Sequence, residues 1–314
     1  MSEHITHTAV MEDGARLALY SPDICEPFKI TLRSRPDIAL LAATTRSGDK
    51  FTVQLLRDAR ERWASRKAGD MVLEKLAYVL GWRCHLASDR TFKPGFRVLD
   101  PEHYARGGSD EDEDGGGPSN VSIYQDVVVF RVVYRSGRAA PFLPSSLDFR
   151  MESHPAATFV PVAQAEPLFQ SLWQVSLIDC QSFRGGTKEP DKWLKMFFQR
   201  FQPVTVDVQR YARAYHAPDP DLMRRYIVEP NFYDPANALV TLARSLQRGQ
   251  TPAGFDLPAA LRAAPGQSLY AQALERTYRY LHAASEYFVN RIDEEELKSR
   301  CDVGKPHVPA VPKG

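Results

Sequence analysis

At 314 residues, with 43% hydrophobic and 25% charged residues, the chain has the composition of a globular protein with one large core or two smaller ones. A formal net charge of +1 excludes both a polyacidic solvating chain and the strongly basic balance of a dedicated nucleic-acid binder. No basic leader followed by an apolar run opens the chain, and no segment approaches the roughly 20 apolar residues of a membrane span, so a cytoplasmic protein with no membrane partner is expected.

In chain order, residues 1–20 read as a polar arm ending in a short strand, Arg16 to Tyr20. Phe28 to Leu32 alternates apolar and polar residues, the period of a half-buried strand, and Ile38 to Thr45 reads as a second strand after the turn Arg35-Pro36-Asp37. A helix is predicted over Phe51 to Lys67, with Phe51, Leu55, Ala59 and Trp63 on one stripe and its arginines scattered around the rest. Asp70 is a natural cap for a second helix, Met71 to Leu80, which is apolar almost all round and therefore buried. Gly81 ends it in this reading, and a basic, aromatic-flanked segment from Trp82 to Arg97 follows.

The acidic run Asp110-Glu111-Asp112-Glu113-Asp114 and its three following glycines have nothing to bury, which makes residues 107–118 an expected mobile loop. Ser122 to Tyr134, rich in Val, Ile, Tyr and Phe, reads as a central strand, followed by a hairpin into Ala139 to Leu143 and a strand pair at Leu147 to Ser153 and Thr158 to Val162. Beyond Gln164 the pattern turns helical, with segments at Ala165 to Leu177, Asp191 to Phe201, Val206 to Tyr215, Asp219 to Val228 and Pro235 to Gln247. A long amphipathic helix is predicted from Ser268, its N-cap, to Arg300. The expected fold is α+β: a mainly antiparallel sheet with helices over residues 1–162, a helical domain over 163–303 and an extended tail at 304–314.

The usual phosphate-loop, dinucleotide, nucleophile-elbow and zinc-helix signatures are absent, and no cofactor or resident metal is expected. Cys25, Cys84, Cys180 and Cys301 form no CxxC pair and read as reduced packing thiols, Cys84 beside His85 included. Asp100, Glu102 and His103 read as a solvated turn, and Arg184-Gly185-Gly186-Thr187 as a plain turn between helices. From Lys29 to Arg106 there are sixteen Lys and Arg against nine Asp and Glu, interleaved with aromatics.

This excess favours a non-enzymatic binding protein or complex subunit whose ligand is nucleic acid or another polyanion. Its expected phosphate contacts are Arg57, Arg60, Arg62, Arg66, Lys67, Arg83, Arg90, Lys93 and Arg97. An alternative is a metal-assisted hydrolase, because Asp148, Glu152 and His154 would share one face of a strand. A third reading is an assembly subunit that docks a protein partner through the long C-terminal helix.

Overall fold

The computed structural model describes residues 4–44, 49–67, 69–106, 119–135, 210, 211, 213–215 and 217–305. Among these residues the regular elements are all helical and no strand occurs. The expected α+β fold with an antiparallel sheet is thereby corrected. Helix α1 spans His4–Tyr20, α2 Glu26–Ser34, α3 Pro36–Ala43, α4 Asp49–Arg62, α5 Val72–Leu99 and α6 Pro101–Arg106. Helix α7, Asn120–Val129, runs on into a π-helical stretch, Phe130–Arg135. Then come α8, Pro220–Met223, with a π-helical stretch at Arg224–Val228, α9, Ala238–Gln247, and α10, Leu257–Ala263. Helices α11, Leu269–Phe288, and α12, Glu294–Arg300, complete the described chain.

The segments read as strands are helical for identifiable reasons. In α2 the buried residues Phe28, Thr31 and Leu32 follow the three-and-four spacing of a helix face, and the short alternation that suggested a strand is part of it. Pro27 and Pro36 stand in the first turns of α2 and α3, where a missing N–H costs nothing. In α7, Val121, Ile123, Tyr124, Val127 and Val129 are all buried, so the helix is surrounded on every side. Such a run is apolar without periodicity, and its β-branched residues then favour a strand wrongly. Ser119 caps α7, its hydroxyl accepting from the Ser122 N–H at 3.2 Å.

Gly81 does not end a helix. It lies in the middle of α5, whose 28 residues pack against α2, α3, α4 and α11. A Cβ on Gly81 would stand 1.9 Å from the backbone oxygen of Ala39 in α3, so only glycine allows the two helices to approach this closely. The segment read as a basic surface after Gly81 is consequently the second half of a core helix, with Arg83, Asp89, Phe92 and Phe96 all buried.

The other inner helix is α1, which packs against α5, α7, α9 and α11. It contributes Val10, Met11 and Leu17 to the core, but Thr6, His7, Thr8, Glu12, Asp13 and Arg16 are buried with them. Buried polar and charged groups are tolerated only when paired, so these six residues place the polar chemistry of the fold along one helix.

The C-terminal helix is shorter than expected. Ser268 does cap it, accepting from the Ala271 N–H, but α11 ends at Phe288, and α12 restarts only after its own cap, Asp293. Tyr270, Leu274, Thr277, Leu281 and Phe288 of its stripe are buried, so the stripe is core and offers no apolar docking face. No helix among the described residues is long and apolar enough to cross a membrane. The acidic loop at 107–118, the strands assigned beyond residue 138, the helices assigned between 165 and 201, the domain boundary at 162 and residues 306–314 lie outside the described residues.

Candidate metal centre

Near its N-terminal end, α1 brings His7 against two residues of α5. His85 and Asp89 are four apart on that helix and so occupy one face. His7 Nε2 lies 3.2 Å from Asp89 Oδ1, and His85 Nε2 lies 3.2 Å from Asp89 Oδ2. The two imidazoles meet edge to face, with ring centroids 4.5 Å apart. Ligand-type atoms of all three residues lie within 4.8 Å of one another. A tetrahedral ion with bonds of about 2.0 Å has ligand–ligand edges of roughly 3.3 Å, a spacing that each imidazole already keeps from its own oxygen of Asp89.

Two neighbours hold His85 in place. Trp82, one turn earlier, stacks on its ring at 4.6 Å between centroids, and His85 Nδ1 is 3.0 Å from the carbonyl oxygen of Ala43 at the end of α3. A carbonyl only accepts, so Nδ1 carries the proton and donates it. In the neutral ring this leaves the lone pair on Nε2, the atom that faces Asp89. A hydrogen bond of this kind from the far nitrogen is the usual way a metal-binding histidine is oriented. A lone pair facing a carboxylate oxygen in a dry interior is favourable only with a cation or proton between them.

The ionisation states suit a metal site. Burial, reinforced by the facing His85, lowers the pKa of His7 to about 3 against the pull of Asp89, so His7 is neutral near pH 7. Burial opposes the charge on Asp89, but His85, Lys93 and His7 outweigh it and hold the carboxyl well below the usual carboxylate range. Neutral imidazole and ionised carboxylate are the forms that bind metals. Cys84 takes no part: burial pushes its thiol up to about 12, and its sulfur donates to the Leu80 carbonyl.

Further along α1 is a second polar cluster of different character. Both carboxylate oxygens of Asp13 are engaged. One accepts from Arg16 Nη1 at 2.8 Å, and the other accepts from the Tyr270 hydroxyl at 2.8 Å and from Arg244. Among the described residues, adjacent Glu12 accepts only from the Tyr134 hydroxyl, at 3.3 Å, and stands 3.7 Å from Arg16. Burial raises Glu12 to about 8, the nearby Arg16 only partly offsetting it. A third group, Asp126, accepts from the Thr6 N–H and hydroxyl and from the Tyr211 hydroxyl, and burial raises it to about 6.

Folded Glu12 therefore keeps a proton that the unfolded chain releases above its ordinary pKa of 4.5. Its favourable contribution is complete below pH 4.5 and is lost as pH rises through about 8. Asp126 acts with the same sign but is finished by about pH 6, and His7 acts with the opposite sign between about 3 and 6.5. The window from pH 6.5 to 8.5 thus isolates Glu12. Glu12→Gln should be more stable than the parent at pH 8.5 by a few kcal/mol, on the order of the pKa shift at ~1.4 kcal/mol per unit, with roughly half that difference at pH 6.5. Urea unfolding at the two pH values reads this directly; equal slopes for parent and variant would show that Glu12 is ionised in the fold.

The cations expected to meet phosphate do not converge. Arg57 is bound to Glu294 at 2.9 Å, Arg62 to Asp58 at 2.8 Å, and Arg60 lies over the Tyr287 ring. Arg66 lies over Trp63, and Lys67 is exposed beside it. Arg83 and Arg90 are buried, Arg90 donating to the carbonyls of Cys301 and Asp302. Lys93 is bound to Asp89, and Arg97 is half-buried one turn further on. Binding along a phosphate backbone needs such groups on one accessible surface, so a nucleic-acid-binding assignment is without support. Asp148, Glu152 and His154 lie outside the described residues.

His7 and Asp89 were not singled out in the sequence. The His85–Asp89 spacing of four is a readable helical signal, but it is hidden once Gly81 is taken as a helix end. His7 sits in a segment polar enough to pass for a surface arm. No family model, no curated protein and no solved structure matches the chain.

Proposed function

We propose that this chain is a metal-binding helical protein that holds a divalent transition metal, zinc foremost, through His7, His85 and Asp89. The observation that carries this reading is the convergence of two imidazoles on the two oxygens of one buried carboxylate, with His85 oriented through its far nitrogen. Two histidines and a carboxylate are a donor set suited to zinc and also to non-haem iron(II). Three protein ligands leave a coordination position for water, so metal-assisted hydrolysis is the reaction class such a centre supports.

Calorimetric titration of the chelator-treated full chain with zinc at pH 7 should show one saturable site. His85→Ala and Asp89→Asn should each weaken it by about 100-fold or more, since even removing a supporting partner costs 10- to 100-fold. A binding isotherm unchanged in both variants would end the assignment.

A further inference from the structure

The same carboxylate has a third neighbour. Lys93, one further turn along α5, places Nζ 3.1 Å from Asp89 Oδ2, the oxygen that His85 also faces. Its side chain is 17% exposed, against 2% for His7, 4% for Asp89 and 12% for His85, so Lys93 is the member of the group nearest to solvent. We infer that Lys93 is an internal competitor for the metal, its ammonium group taking the place of the cation on Asp89 and leaving that place when a metal enters. The inference rests on the metal-binding reading above and adds the regulation of that site.

The charges and the geometry argue for displacement. The Asp89 carboxylate carries a charge of −1, which the ammonium neutralises. A divalent ion beside a retained ammonium would instead put two cations on the same carboxylate in a nearly dry site, and like charges there are strongly unfavourable. Lysine can leave at low cost. Its charge sits on a flexible four-carbon stem, is strongly hydrated, and already lies at the wet edge of the group. Pro94 follows directly and lacks the N–H of one helical hydrogen bond in this turn of α5. Apparent metal affinity is then the intrinsic affinity reduced by the occupancy of the ammonium.

The test is a zinc competition titration of the full-length parent, Lys93→Met, Lys93→Gln and Lys93→Arg against a chromogenic chelator at pH 7, with far-UV circular dichroism on each to establish folding. Removal of the charge in Lys93→Met and Lys93→Gln should tighten zinc binding at least tenfold, while Lys93→Arg, which keeps the charge, stays as weak as the parent. Folded Met and Gln variants that bind no tighter than the parent overturn the competition and leave the metal site standing. An Arg variant as tight as the Met variant also overturns it, since the effect would then be one of shape. If the parent and all three variants, folded, leave zinc with the chelator, the metal-binding reading fails and the competition fails with it.

Discussion

Replacement of Asp13 by Asn should destabilise the protein by about 3–5 kcal/mol, the usual result of breaking a buried ion pair from one side. Asp13 is fully buried, and its two oxygens serve Arg16, Arg244 and the Tyr270 hydroxyl together. Asparagine keeps the shape but turns one acceptor into a donor aimed at other donors, and it removes the negative charge shared by two guanidinium groups. Domains of ordinary stability hold only about 5–15 kcal/mol in total, so much of the margin would go. The contrast with Glu12→Gln is informative, because the two carboxylates are neighbours on one helix and their neutral amide variants should move stability in opposite directions at pH 8.5. A urea midpoint for Asp13→Asn within ~1 kcal/mol of the parent would show that Asp13 is not the centre of this network.

Gly81→Ala should be of similar severity, about 3 kcal/mol or more, although alanine is the better helix former by about 1 kcal/mol. The added methyl carbon would lie 1.9 Å from the Ala39 oxygen, 2.7 Å from its carbonyl carbon and 2.9 Å from its Cα. These are backbone atoms and cannot rotate aside, so α3 must move off α5. The same helix supplies its own control. Gly95 has nothing within 4 Å of the equivalent position, and Gly95→Ala should be neutral or stabilising by up to ~1 kcal/mol. Because α3 also carries the Ala43 carbonyl that orients His85, Gly81→Ala should weaken zinc binding as well as the fold. Equal unfolding midpoints for the two glycine variants would refute the close crossing.

The behaviour of Gly81 also explains why much of the architecture was hard to read from residues alone. Glycine after an apolar run is a sound helix-end signal, yet here its value lies in what it lets approach, and that depends on a helix forty residues away in sequence. The apolar run around Val127 to Phe130 failed for the complementary reason: when every face is buried, neither period survives, and β-branched residues tip the balance towards strand. Capping is local, and it was legible at Ser268. The break after Phe288 was not, because the three-and-four stripe continues beyond it to Ile292.

The candidate site shows the same division. His85 and Asp89 share a helix and a spacing of four, so two of the three residues were in the sequence once α5 was continuous. His7 belongs to it only through the packing of α1 on α5. The arginines misled in the opposite sense. Their number is a fact of composition, but charge density along the chain says nothing of whether a guanidinium faces solvent, a carbonyl in the core or a ring on the next helix.

The central claim is that His7, His85 and Asp89 hold a metal, and anomalous diffraction at the zinc edge from crystals of the full chain grown with zinc tests it most directly. One strong anomalous peak should lie about 2.0–2.2 Å from a nitrogen of each histidine and an oxygen of Asp89, with the Lys93 ammonium turned away from that carboxylate. Zinc found only at surface residues, with Lys93 still on Asp89 and the three side chains unchanged, would contradict it.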